Sequence, residues 1–164
     1  MVRVLILLAA FGLSAPALAQ DPNADPRSAA LNLGLAAKLC MTGSRVPDTL
    51  PQIFGEAGFD ISPGLGEMEF EVRAHGIFGA FDIGSGYCFI QTAVVPLETT
   101  QPMIRDLANT LYPGQVQEGA PEGGTGPCDG LSIFAPRRLI WVSYAAAGNS
   151  GECLFDGTSS VIIQ

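Results

Sequence analysis

The chain has 164 residues, sixteen acidic and eight basic, with 48% hydrophobic side chains and a net charge of −8. A single domain of this size buries roughly 70% of its unfolded surface, which is ample for a core. The acidic balance argues against nucleic acid and anionic membrane as partners, since both call for positive surface.

Arg3, the apolar run from Val4 to Leu13 and the sequence Ala17-Leu18-Ala19 together predict a secretory signal peptide over residues 1–19, cut before Gln20. Ten apolar residues cover about half of the roughly 20 that a bilayer core requires, so a retained membrane anchor is not expected. No cysteine follows the cut, which leaves a lipoprotein anchor without support. The expected mature chain, residues 20–164, is one exported domain of 145 residues, periplasmic or extracellular. With Arg3 gone it carries seven basic and sixteen acidic side chains, a net charge of −9.

In chain order, Asp25 and Pro26 open a helix on which Leu31, Leu35 and Leu39 recur every four residues, and Gly43 closes it. A shorter helix is expected from Asp48 to Ala57, with Pro51 in its first turn. From Glu67 to His75 the pattern alternates: Glu67, Glu69, Glu71, Arg73 and His75 share one face, Met68, Phe70, Val72 and Ala74 the other. That is a half-exposed strand. Gly76–Asp82 is expected to continue it through a bend or bulge at Gly76 or Gly79. The turn Ile83-Gly84-Ser85-Gly86 leads to a second strand, Tyr87–Val95. A third helix is expected with Thr99 or Thr100 as its cap, Pro102 in its first turn, and Ile104, Leu107, Ala108 and Leu111 on its apolar stripe. Residues 114–127, rich in Gly and Pro, read as a surface loop.

The C-terminal third predicts strands at Leu131–Phe134, Leu139–Ala146 and Cys153–Phe155, with Ser159–Ile163 as a possible fourth. Leu139–Ala146 is apolar on both faces, which predicts a central strand covered on both sides. Segregated helices and short strand connections give the class α+β: an antiparallel sheet of about five to six strands with three helices. No internal repeat is evident.

Cys40, Cys88, Cys128 and Cys153 all lie in the expected mature chain. An even count in an exported chain predicts two disulfides. The spacing holds no Cys-x-x-Cys and there is one histidine, so neither a metal site nor a redox motif is expected. Four cysteines allow three pairings, and spacing does not choose among them; we take Cys40–Cys88 with Cys128–Cys153 as the expectation. A difficulty is that strands flanking a central one lie about 9–10 Å apart, whereas a disulfide spans about 4.4–6.8 Å between Cα atoms. One of Cys128 and Cys153 must therefore leave its strand.

Chemistry has thin support in the residues. His75 could serve as a general base or a metal ligand beside Glu71 and Arg73, but such a row is also what a solvated strand face looks like. Gly84-Ser85-Gly86 lacks the strand-to-helix context and spacing of a nucleophile elbow, and its glycines suit a hairpin turn. No phosphate-binding glycine motif precedes a helix, and no cofactor is implied. Arg137 and Arg138 form a basic spot on a turn tip, suited to a carboxylate, a phosphate or an acidic partner. Trp141 and Tyr144 are expected in the core, on opposite faces of their strand. The expectation is a non-enzymatic binding or accessory protein of the cell envelope with a protein or small-molecule partner. The alternatives are a small hydrolase-like enzyme using His75 with Ser85 or the Glu67–Glu71 face, and a small-ligand carrier.

Overall fold

Apolar residues repeating at the two protein periods sort the chain into a helical layer and one sheet. The structure is a computed structural model, and it describes residues 21–43, 45–119, 128, 130–148 and 153–164. The expected signal peptide and residues 120–127 of the expected Gly-rich loop 114–127 lie outside these residues. Helix α1 spans Pro26–Gly43, α2 spans Leu50–Glu56 after a 3-10 turn at Pro47–Thr49, and α3 spans Leu97–Leu111. The strands are β1 Asp60–Pro63, β2 Glu69–Ala74, β3 Ile77–Asp82, β4 Tyr87–Thr92, β5 Val116–Glu118, β6 Leu131–Ala135, β7 Arg138–Ala145 and β8 Ser159–Ile163. They form one sheet in the order β1-β2-β3-β4-β8-β7-β6-β5, antiparallel throughout.

The class is α+β with three helices and two disulfides, but the sheet has eight strands, not five to six. Two of the additions, β1 and β5, are edge strands of four and three residues, too short to show alternation. The third comes from Gly76, which does not bend one long strand but closes a hairpin between β2 and β3. Its φ of +75° is the left-handed region that glycine enters freely, and a Cβ there would sit 2.5 Å from that of Ala29. Cys153–Phe155 forms no strand; β8 takes the place beside β7.

Helix α1 begins where expected, with the Asp25 carboxylate accepting hydrogen bonds from the Ser28 N–H and hydroxyl. Helix α3 starts earlier than expected, directly after Pro96, so Pro102 falls inside it and neither threonine caps it. Leu97 explains the shift, since it is fully buried and draws the chain into helix at once. Thr100 is buried as well: its hydroxyl donates to Ser159 Oγ at 2.7 Å, and Ser159 in turn donates to the Val95 carbonyl.

All three helices cover the same face of the sheet. Leu33, Met41, Leu50, Phe54 and Ile104 from the helices meet Phe81, Ile90, Ile133, Ile140, Val161 and Ile163 from the strands, all nearly or wholly excluded from water. The Cys40–Cys88 bridge joins the end of α1 to β4 within this core, with Cα atoms 6.0 Å apart. Cys128 pairs with Cys153 at 5.5 Å, because both cysteines lie outside the strands that flank β7.

Among the described residues the other face has no helix on it, and this corrects the expectation for β7. Ile140, Val142 and Tyr144 are buried against the helices, whereas Leu139, Trp141 and Ser143 point to the uncovered side. β7 is interior in the sheet, yet from Leu139 to Ser143 it is covered on one side only; Ala145, on the other side, is buried. Trp141 is therefore a surface residue, 38% exposed, and Tyr144 alone belongs to the core.

Candidate functional site

The sheet's strands do not all stop at the same level, and the mismatch makes a notch. In the register, Val142 of β7 faces Ile163 of β8, and Trp141 exchanges both backbone hydrogen bonds with Gln164. β7 runs on past that point through Ile140, Leu139 and Arg138, while β8 has ended. On the other side of β8, the β3–β4 turn at residues 83–86 projects beyond the start of β4. A cleft of about 830 Å³ fills the gap. The β3–β4 turn forms one wall, the β6–β7 hairpin tip the other, and Gln164 lies at the base; the segment around Arg45 and Pro47 closes the helix side.

Three arginines line this space: Arg45, Arg137 and Arg138. Arg137 and Arg138 were the basic spot expected from sequence; Arg45, about ninety residues earlier in the chain, joins them only in three dimensions. Arg45 and Arg137 are exposed, and Arg138 is half-buried. None of the three has an ion pair or side-chain hydrogen bond among the described residues. Arg73 and Arg105 differ in this respect. Arg73 pairs with Glu71 at 2.9 Å and lies 4.8 Å over the Phe78 ring, and Arg105 pairs with Glu118.

The electrostatics of the cleft follow from this placement. Burial pushes the Arg138 guanidinium below its ordinary value, and the charge of Arg45 pushes the same way, against an opposing effect of Tyr112. Cations gathered in one cleft, with no carboxylate side chain paired to any of them among the described residues, favour an incoming anion. Asp82, the carboxylate closest in sequence to the β3–β4 turn, is engaged within that turn. It accepts from the Ser85 N–H at 2.7 Å and from the Ser85 hydroxyl, and these bonds hold its carboxyl below the usual range.

The backbone at Arg137 is unusual. Ala135 pairs with Arg138, so Pro136 and Arg137 form a two-residue connection, and Arg137 has φ +73°. Proline first and a left-handed residue second is the pattern of a type II turn, in which glycine normally takes the second place. Arg137 is the one non-glycine with positive φ among the described residues. Holding a side chain there costs about 1–2 kcal/mol, and such strain clusters at ligand clamps.

The other residues singled out from sequence do not converge. His75 and Ser85 lie beyond opposite ends of β3, with about 17 Å of strand between them. The His75 ring accepts a hydrogen bond from the Asp25 backbone N–H at 3.1 Å, and its carbonyl accepts one from the Asn32 side chain. It ties the β2–β3 turn to the start of α1. Glu69 and Glu71 sit on β2, while Glu67 precedes the strand; Glu71 is occupied by Arg73. Among the described residues no three His, Cys, Asp or Glu side chains gather as metal ligands, and no helix is long and apolar enough to cross a membrane. Comparison of the chain with protein-family models, curated proteins and solved structures finds no match.

Proposed function

We propose that this is an exported, non-enzymatic binding protein of the cell envelope, and that it binds an anionic group in the cleft between the β3–β4 turn and the β6–β7 hairpin. The observation that carries the reading is the convergence of Arg45, Arg137 and Arg138, unpaired among the described residues, on a protein of net charge −8. Arg27 and Lys38 too have no ion pair among the described residues, so what sets these three apart is that they line one cleft, with Arg138 partly desolvated, and are poised there for a ligand from solution. Guanidiniums suit carboxylate and phosphate because their planar donor forks match those oxygens. The volume falls in the range of small-molecule sites, which favours a ligand carrier within the wider class of binding proteins. Two disulfides fit an oxidising compartment. A hydrolase reading has no comparable support, since its candidate groups are spread over both ends of β3.

Calorimetric titration of the mature protein with inorganic phosphate and with acetate, at low salt, tests the reading. Saturable binding of at least one anion is expected, weakened about tenfold or more by Arg138→Ala and by Arg45→Ala, as loss of a charge-assisted hydrogen bond implies. Binding that is indifferent to both substitutions, or absent for every anion tried, refutes it.

A further inference from the structure

Resting on the anion-binding reading, the next question is what the anion is attached to. The cleft opens onto the sheet face that no helix covers. Leu139 belongs both to the cleft lining and to that face. It stands directly opposite Phe134 on β6, and two residues further along β7 comes Trp141, in register with Ser132 and Gln164. Phe134, Leu139 and Trp141 are 49%, 38% and 38% exposed, so three large apolar side chains form a contiguous shelf beginning at the cleft's edge. Its neighbours on the same face, Ser132, Ser143, Ile162 and Gln164, are uncharged. The charges of this face lie on the strands across the cleft, at Glu69, Asp82 and the Glu71–Arg73 ion pair. The cations thus stand between a neutral apolar shelf on β6 and β7 and the carboxylates of β2 and β3.

We infer that the cleft takes a monomeric amphipathic anion: a phosphate or carboxylate head on an aliphatic or aromatic body. The head lies among Arg45, Arg137 and Arg138, and the body lies over Leu139, Trp141 and Phe134. The body runs toward the neutral strands because the opposite direction would bring the head's charge and its apolar continuation against carboxylates. The shelf supplies affinity by removing apolar surface from water, and two methylene groups covered on it are enough for about a tenfold gain.

Trp141 is the only tryptophan in the chain, so its emission reports on the shelf alone. The experiment titrates the mature protein with octyl phosphate, octanoate, inorganic phosphate, acetate and octanol, each kept monomeric, with fluorescence and calorimetry in parallel. At least one octyl anion is expected to bind tenfold or more tightly than its bare head group and to shift Trp141 emission to the blue. Whether octyl phosphate or octanoate gains more tells which head the cleft prefers. Trp141→Ala is expected to remove most of the gain in calorimetry while leaving the bare anion's affinity unchanged. Phe134→Ala, on the shelf and outside the cleft lining, is expected to act in the same direction if Trp141→Ala fails to fold. Equal affinities for octyl and bare anions, with unchanged emission, overturn the shelf and leave the anion site standing. Octanol binding as tightly as the octyl anions, or no anion binding at all, overturns the anion site itself. Binding to vesicles of an anionic phospholipid without binding to the monomers overturns the proposal of a monomeric ligand.

Discussion

At the residue scale, Arg137 is the most informative position in the molecule. Its φ of +73° makes it a costly occupant of a place where glycine would be comfortable. Arg137→Gly is therefore expected to stabilise the protein by about 1 kcal/mol, raising Tm by roughly 2–4 °C, while weakening anion binding. Thermal unfolding and calorimetry on the same sample check both halves; a variant less stable than the parent would contradict the strain argument. His75 makes the converse case. It is exposed and far from Ser85, and its ring holds the Asp25 N–H. His75→Ala is expected to cost about 0.5–1.5 kcal/mol, as loss of one hydrogen bond does, with anion affinity unchanged. A lost affinity in a folded His75→Ala protein would give the histidine a role that its position does not suggest. These two residues also show what sequence carries at this scale. Arg137 and Arg138 were visible as a basic pair on a turn, but nothing local marks Arg45, because its partnership depends on a loop closing the far side of a gap between strands.

At the element scale, the alternation of β2 was legible and the one-sidedness of β7 was not. Glu69, Glu71 and Arg73 do share the uncovered face, as period-two patterning implies. In β7, Leu139 and Trp141 break that pattern by being apolar on the uncovered face, so the strand mimics one covered twice. Truncations separate the two cases. Ile133→Ala, in the core, is expected to cost about 2–5 kcal/mol, and Phe134→Ala, next to it on the open face, less than half as much. Comparable losses would mean that the open face is covered in solution. The disulfides divide in a similar way. Cys40 and Cys88 are each 1% exposed, whereas Cys128 and Cys153 are half-buried outside the sheet. Mild reductant followed by alkylation is expected to label Cys128 and Cys153 first, with Cys40 and Cys88 protected until the protein unfolds. Closing loops of 48 and 25 residues stabilises the fold by about 4 and 3.5 kcal/mol respectively in the chain-entropy model. Simultaneous labelling of all four cysteines would contradict the difference in burial.

At the scale of the whole molecule, the strand order resolves into two meanders, β1–β4 and β5–β8, each preceded by helix and joined where β4 pairs with β8. Sequence showed no repeat, because the two halves share an order of elements without sharing residues. The cleft lies along this same join, at the end of the sheet where β8 stops and the flanking hairpins do not. Its lining draws on Arg45, the β3–β4 turn and the β6–β7 hairpin, which only the folded chain brings together. Acid should act on the fold through carboxylates that it holds ionised. Asp25, Asp82 and Asp156 are each kept below the usual carboxylate range by side-chain and backbone hydrogen bonds, from Ser28, Ser85 and Thr158. Their contribution is fully present above the unfolded carboxylate value, near 3.8, and is lost as pH falls through the lower folded values. Stability is expected to decline below about pH 4, and Asp25→Asn to flatten that decline.

The central claim, that Arg45, Arg137 and Arg138 act together on one anion, is tested most directly by following guanidinium Nε–Hε resonances of the mature protein during titration with inorganic phosphate. The account predicts that these three move together along one saturable curve, while those of Arg27, Arg73 and Arg105 stay in place. Resonances that do not move, or six that drift alike without saturation, would contradict it.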